Sequence, residues 1–431
     1  MTAVYYDLSE QFLANGRRFK YYGIVRTVME VGYELAQTGN VCFVVYSPAH
    51  GSFFEVTPRL DDASPTGVMD PGLPPEATPI RLRQTFPTRN PLRDAIYPLV
   101  RAIVRRINLK RWAHVPDGVV RPVDLDGQVL IALGRPKIMA DYLTEIDRKG
   151  IRLRLVPLLH DMIPLHAFAH RERKMFSSNF MSDNRMVISH AETILTNSEF
   201  TRSEVAHFGA IGHLPELPPV VAVPLGHELR RTGEALDLEI PAEPYLMCVG
   251  TLTGRKNLEC VIDAMMVLAE EGRPVPRLLL AGARRKRAED YVDEARFAPI
   301  RDKIQFIRDP NQTELWALYE NALALVIPSY MEGWGLPLGE ALWVGTPGLA
   351  STAPALREVG GDLAQYFEPG KPRELAAHID ALQSDPQVRE ALKTRIRAAR
   401  PHLRSWRDVA DGILQALRGK TCGQTTPRDF R

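Results

Sequence analysis

Short apolar runs of strand length alternate with helical patterns along this 431-residue chain, and that alternation limits the fold more than any single residue does. AVYYD, VCFVVYS, QVLIALG, LRLVPLL, TILTN and VVAVPLG occupy the first half; YLMCVG, RLLLAG, IQFI, ALALVIPS and PGLAS occupy the second. Strands of this kind, separated by helices, belong in parallel sheets covered on both faces. The length is large for one core and suits two domains of roughly 200 residues each. The polar, two-proline stretch HELRRTGEALDLEIPAEP (His227–Pro244) is the expected boundary. The reading is therefore an α/β chain with a first domain over 1–228, a linker over 229–244 and a second domain over 245–402. A helix over 403–420 and a frayed tail over 421–431 complete it.

Bulk composition removes several classes of function. Lys and Arg number 54 against 52 Asp and Glu, a net charge of +2, so no general affinity for nucleic acid is expected. Cys42, Cys248, Cys260 and Cys422 show neither metal spacing nor a disulfide pattern. No run approaches the ~18 apolar residues of a membrane span. The N-terminus MTAVYYDLSE lacks a signal-peptide layout, so the chain reads as cytoplasmic.

The stretch EGWGLPLGE (Glu332–Glu340) follows the apolar run ALALVIPS and leads into a short helical pattern closed by Gly345. It reads as strand, glycine-rich turn and helix N-terminus, with Pro337 suited to the first helical turn. A helix start offers unpaired N–H groups and a positive dipole end, which suits phosphate oxygens. Glu332 and Glu340 then suit the hydroxyl-rich parts of the same ligand, a description that fits a nucleotide-sugar. Earlier, Arg255 and Lys256 follow the turn that starts at Gly250, and such a pair can neutralise a departing diphosphate. A glycosidase acid–nucleophile pair is the rival for the two Glu residues. Such carboxyls stand ~5 to 9.5 Å apart, whereas eight helical residues span about 12 Å; the turn can shorten that distance, so the rival is disfavoured rather than removed.

EGWGLPLGE resembles the E-x7-E signature of the retaining glycosyltransferases of family 4, which have the GT-B fold of two Rossmann-like doubly wound domains facing across a cleft. GTLTGRKNL (Gly250–Leu258) resembles the family's phosphate-binding loop, and YYGIVRTVMEVGYEL (Tyr21–Leu35) its first glycine-containing loop and helix. LLHDMIPL (Leu158–Leu165) and ILTNSEFTRSEV (Ile194–Val205) resemble N-terminal domain segments, in the family's order, with VAVPLGHE after them. The resemblance implies that Glu332 contacts the transferred sugar, Glu340 the ribose, and the backbone near Gly335, Leu336, Pro337 and Leu338 the diphosphate. It implies a donor-binding role for Gly250 and Asn257 and a catalytic one for Arg255 and Lys256. His160 and Asp161 match the family's His-Asp segment; His160 is assigned to the sugar or acceptor side, polarising a hydroxyl. Gly23 and Arg26 are assigned with Asp161 to the acceptor or diphosphate loop. IQFIRDPNQTEL aligns with the nucleotide-base loop, where Arg308 stands in place of the usual Gly and Arg308 or Asp309 is expected to set base preference.

The implied activity is retaining transfer of a hexose to a glycan hydroxyl. The HDMIPL and SEFTRSEV segments resemble mannosyltransferases that build bacterial surface polysaccharides such as lipopolysaccharide, which favours GDP-mannose. The acceptor would be a growing oligosaccharide, lipid-linked through a polyprenyl diphosphate. No metal and no cofactor are expected, and DLD (Asp124–Asp126) reads as a turn before Gly127. The alternatives are a GT-B sugar phosphorylase and a non-catalytic nucleotide-sugar-binding subunit.

Residues 51–125, rich in Pro and Arg, fit this pattern least and read as an insertion. Within them, 96–112 puts Val100, Ile103, Val104 and Ile107 on one helical face, with Arg101, Arg105, Arg106, Lys110 and Arg111 around it. A basic amphipathic helix rests either on an anionic membrane, here the inner face of the cytoplasmic membrane, or on its own domain.

Overall fold

The computed structural model describes residues 3–12, 23–64, 66–84, 86–166, 174–250, 254–282 and 286–418. It divides into two compact units, Met1–Pro224 with Trp406–Arg431, and Leu225–Ser405. The first contains β1 (Val4–Asp7), β2 (Cys42–Ser47), β3 (Ser52–Val56), β4 (Arg59–Leu60), β5 (Met69–Asp70), β6 (Val120–Val123), β7 (Val129–Ala132), β8 (Arg154–Leu159), β9 (Ile194–Thr196) and β10 (Val220–Ala222). Eight of them form one sheet in the order β10-β9-β8-β7-β1-β2-β3-β6. The pairings from β10 to β2 are parallel. Apolar side chains on the helices Pro136–Lys149 and Lys174–His190, among them Tyr142, Leu143, Val187 and Ile188, join the strands in one core. Helix Ile24–Thr38 buries Val28, Met29, Val31 and Leu35 completely, and helix Trp406–Leu417 packs against it.

The second unit contains β11 (Tyr245–Val249), β12 (Arg277–Gly282), β13 (Ile304–Arg308), β14 (Ala324–Ile327), β15 (Gly348–Ser351) and β16 (Gln365–Phe367). Their order is β13-β12-β11-β14-β15-β16, and every pairing is parallel. Strand order therefore reverses between β11 and β14, the crevice where open parallel sheets bind ligands at their carboxyl ends. Helices Leu258–Glu270 and Pro372–Ser384 contribute Val261, Met265, Leu268, Leu375 and Ile379 to a second core.

The structure departs from the sequence reading in three places. Residues 51–125 are not a separate insertion: β3 and β6 extend the sheet beyond β2 with antiparallel pairing. Chain segment 229–244 docks on the second unit, because Glu234 accepts from the Gln312 N–H at 3.1 Å, Thr313 donates to the Thr232 carbonyl at 3.0 Å, and Arg231 stacks over Trp316. In helix Pro91–Trp112 the apolar face read from 96–112 is not the one that packs on its own unit. Arg101, Arg105 and Arg111 donate to the carbonyls of Gln84, Ala49 and Thr78 on their own unit. Leu92, Ile96, Leu99, Ile103 and Ile107 are left exposed instead. The proposed tail 421–431 lies outside the described residues, and Asp124 and Asp126 form a turn in which Asp124 accepts from the Asp126 N–H at 3.0 Å.

Strands β11 and β12 end so close together that a Cβ on Gly282, which has φ +148°, would lie 2.6 Å from the Gly250 carbonyl oxygen. Backbone cannot yield as a flexible side chain can. Gly282→Ala is expected to lower the stability of the second unit by about 1–3 kcal/mol, read as a lower denaturant midpoint; an unchanged midpoint would show that the two strand ends have slack.

Candidate functional site

The loops that leave β11 and β14 meet at the point where strand order reverses. Gly250 still belongs to the sheet ladder, its N–H donating to the Ala281 carbonyl at 2.9 Å. After residues 251–253, which lie outside the described set, Gly254–Lys256 form one tight 3-10 turn. From that turn Arg255 and Lys256 both reach Glu332, in the loop after β14: Arg255 Nη1 lies 2.6 Å from one carboxylate oxygen and Lys256 Nζ 2.5 Å from the other. Arg255 also donates to the Met331 carbonyl at 2.7 Å and accepts the Tyr330 N–H at 2.9 Å through its own carbonyl. The Ser329 hydroxyl donates to Glu332 at 2.6 Å, and the Ser351 hydroxyl donates to the Ser329 carbonyl at 2.5 Å.

Glu332 is 5% exposed. Burial pushes its carboxyl pKa up, but the charges of Arg255 and Lys256, with hydrogen bonds from Lys256 and Ser329, outweigh burial and hold it at about 2. Glu332 is thus an anion throughout the physiological range. Arg255 and Lys256 keep partly exposed edges, so the cluster presents positive charge outward around a buried negative one.

Glu340 sits in the middle of helix Leu336–Val344, not at its cap, and is 4% exposed. It accepts from the Tyr319 hydroxyl at 2.7 Å. The helix begins at Gly335, whose φ of +117° and whose packing, with a Cβ 2.5 Å from Leu356 Cδ2, exclude a side chain. Of the four residues expected to face a diphosphate, two cannot contribute N–H groups. Pro337 has none, and the Leu338 N–H closes on the Gly335 carbonyl at 2.9 Å. Gly335 and Leu336 remain as the donors at the helix start.

Asn257 has a structural part at this point. Its Nδ2 donates to the carbonyls of Pro328, at 3.0 Å, and Pro369, at 2.6 Å. It therefore ties together the loops after β11, β14 and β16, and it holds a left-handed backbone, φ +52°, to do so. Arg308 ends β13 with its side chain 62% exposed, 3.8 Å from Glu289. Asp309, φ +41°, donates its N–H to the Gly282 carbonyl at 3.2 Å.

The remaining sequence candidates belong to the first unit. His160 directly follows β8, and its Nε2 donates to the Leu133 carbonyl at 2.7 Å. Burial lowers its pKa, so the ring is neutral, and the carbonyl partner fixes the proton on Nε2. Asp161 accepts from the Ile163 N–H at 3.1 Å. Gly23 precedes helix Ile24–Thr38, and Arg26 turns inward: it is 2% exposed, 3.9 Å from Glu30 and over the Trp406 ring. That burial packs Arg26 between its own helix and Trp406.

Residue-type reasoning missed Ser329 and Tyr319, which hold the two Glu side chains, and Glu10, which lies just beyond β1. Glu10 accepts from the Arg135 N–H at 3.0 Å and pairs with its guanidinium at 2.6 Å, fixing the turn after β7. A signal existed for Glu10: DLSE places carboxylates directly after the strand AVYYD. Tyr319 had none, since its partner is 21 residues away on another helix.

The folded pKa of Glu332 lies below its ordinary value of 4.5, so its contribution to stability is fully present above that pH and disappears as pH falls toward 2. Urea unfolding of wild type and Glu332→Gln should show a stability gap that is constant near neutrality and narrows below about pH 4.5. A gap independent of pH down to 3 would mean that the carboxylate charge is not what holds the two loops.

Comparison with known proteins follows this geometry. Residues 237–399 match the family described as glycosyl transferases group 1. The O-antigen chain mannosyltransferase B of Escherichia coli is 28% identical over 233 residues, 52% of this chain and 56% of that protein. A glycogen synthase of Mycobacterium tuberculosis is 28% identical over 249 residues, 56% of this chain and 58% of its own. The chain thus spans a little over half the length of these curated relatives. Sucrose-phosphate synthase from Thermosynechococcus elongatus superposes with a TM-score of 0.64 at 18% identity, covering 97% of this chain and 99% of that one, a likeness of fold. The two parallel-sheet α/β units are of the GT-B type, and residues 237–399, within the second unit, are a group 1 glycosyl transferase segment.

Proposed function

We propose that the chain is a retaining hexosyltransferase, moving mannose from GDP-mannose to a hydroxyl of a growing, lipid-linked surface polysaccharide. The observation that carries the reading is the convergence of Arg255 and Lys256 on Glu332 beside the N–H groups of Gly335 and Leu336, at the reversal point of a parallel sheet. Cations and helix-start donors suit a diphosphate. A buried carboxylate that stays ionised suits the hydroxyls of the sugar attached to it.

In the proposed reaction the bond between the sugar's anomeric carbon and the phosphate oxygen breaks while the acceptor oxygen bonds to that carbon from the same face. The acceptor proton passes to the departing phosphate oxygen, so no protein base is required. Arg255 and Lys256 stabilise the charge that develops on the nucleoside diphosphate. Glu340, steadied by Tyr319, would take the ribose hydroxyls. His160, neutral with Nδ1 as its acceptor nitrogen, would orient a hydroxyl of the sugar or acceptor. Mannose is supported by the names of relatives such as the O-antigen chain mannosyltransferase; the glycogen synthase match is the reason other donors belong in the test.

The outward stripe of helix Pro91–Trp112 supports contact with anionic lipid, where a lipid-linked acceptor would be found. Leu92 is 72% exposed, Leu99 64% and Ile103 52%. Arg106 and Lys110 continue the same face by helical spacing, and no acidic residue shares it.

Thermal-shift and nucleotide-release measurements with GDP-, UDP-, dTDP- and ADP-sugars test the donor. Stabilisation by GDP-mannose, slow GDP release, and a loss of at least about tenfold in release rate with Lys256→Ala are expected, the scale of a removed charge-stabilising donor. No response to any nucleotide-sugar, with sugar phosphate formed from a glycoside and inorganic phosphate, would replace the transferase with a phosphorylase. Binding with no turnover for any acceptor would leave a donor-binding subunit. For the lipid contact, the triple change of Leu92, Leu99 and Ile103 to Ser should abolish co-sedimentation with phosphatidylglycerol vesicles; equal pelleting of wild type and variant would dismiss it.

A further inference from the structure

We infer that His227 and Trp334 hold one ordered water between them behind the glycine turn, and that His227 is thereby a positioning residue for the nucleotide-sugar. This rests on the transferase reading above. Trp334 stands between Gly333 and Gly335, two residues from Glu332, and is 4% exposed. Its Nε1–H has no hydrogen-bond partner. His227, 7% exposed, meets it edge to face, with ring centroids 6.0 Å apart.

The histidine is oriented by its other nitrogen. Nε2 lies 3.1 Å from the Val359 carbonyl, which can only accept, so the neutral ring carries its proton there and Nδ1 is an acceptor. Burial, with Arg404 nearby, favours that neutral form. Nδ1 has no partner either. Two adjoining buried rings thus present one donor without an acceptor and one acceptor without a donor. Orphans of this kind are rare, and ordered water is their usual partner. Two hydrogen bonds of ~2.9 Å reach up to ~5.8 Å, comparable with the 6.0 Å between the ring centroids, which is the span one water bridges.

Both sides of the bridge are fixed. The His227 N–H donates to the Arg404 carbonyl at 2.8 Å. A Cβ on Gly339 would lie 3.1 Å from His227 Cα, so the histidine backbone sits directly on helix Leu336–Val344. The water therefore joins a residue at the start of the second unit to the turn that carries Glu332 and the helix-start N–H groups. Losing it frees the tryptophan side of that turn and loosens the geometry the diphosphate meets.

Three substitutions separate the roles. Trp334→Phe keeps the ring and removes the N–H. His227→Gln keeps a donor for the Val359 carbonyl and removes the acceptor, whereas His227→Asn puts a carbonyl oxygen near the Nδ1 position. Calorimetric titration with GDP-mannose should show about fivefold weaker binding for Trp334→Phe and for His227→Gln, the scale of one hydrogen bond. The double variant should be no weaker than either single, and His227→Asn should stay within about twofold of wild type. Losses that multiply in the double variant, equal losses in Gln and Asn, or unchanged affinity in both singles would overturn the inference. So would a high-resolution crystal structure of the wild type with no water between the rings, an outcome that requires no variant to fold and no ligand to bind. Failure of the wild type to bind any nucleotide would instead remove the transferase reading.

Discussion

One ionised carboxylate, buried between two cations from a loop 76 and 77 residues earlier in the chain, is the interaction on which the second unit's binding edge depends. A carboxylate at 5% exposure would ordinarily be costly. Arg255 and Lys256 remove that cost only if the loops after β11 and β14 are held in register, and the structure spends several other contacts on doing so. Asn257 ties down the Pro328 and Pro369 carbonyls, the Tyr330 N–H reaches the Arg255 carbonyl, and the Ser351 hydroxyl holds Ser329, which in turn holds Glu332. The result is a rigid anion with cations arranged around it.

Carboxylates at the strand ends of the two units are handled in opposite ways. In the first unit Asp7 is buried, and among the described residues no cation is recorded acting on it. Burial, with a further contribution from Glu10, raises its pKa to about 6 despite hydrogen bonds from Ser9 and Tyr142. His160, close enough to feel Glu10, is kept neutral by burial. That edge combines a neutral imidazole and a carboxyl of raised pKa with the Glu10–Arg135 pair. The edge of the second unit is strongly polarised, suited to phosphate. The same parallel-sheet architecture serves both because only the residues just beyond each strand differ.

Much of this was legible in the sequence. The apolar runs marked the principal strands of both sheets, because strands buried on two faces must be apolar throughout. The stretches Gly250–Lys256 and Glu332–Glu340 marked the reversal point, because glycine, cation and carboxylate are placed there in patterns that packing alone does not require. Less visible were residues whose partners are distant. β3 and β6 lie within a Pro- and Arg-rich stretch and pair antiparallel at a sheet edge, so they lack a continuous apolar signature. The amide nitrogen of Asn257 is spent on two backbone carbonyls that no sequence pattern announces. The apolar face of helix Pro91–Trp112 looked like the docking face because helical periodicity tells which residues share a face, not which face meets the protein. There the docking face is held by Arg101, Arg105, Asn108 and Arg111 donating to loop carbonyls, and the aliphatic face is left outside.

The first unit is discontinuous: Trp406–Leu417 belongs to it, although the whole of the second unit is encoded between. Trp406, Val409, Ala410 and Ile413 are almost completely buried, and their helix packs on Ile24–Thr38, the helix that carries the inward-facing Arg26. A ribosome therefore releases residues 1–224 with an apolar face that stays uncovered until the helix Trp406–Leu417 has also emerged. Domains ordinarily fold in the order in which they emerge. Here the second unit can be complete before the first, and the nascent first unit must remain incompletely packed, and in need of protection from aggregation, while more than 180 further residues are made.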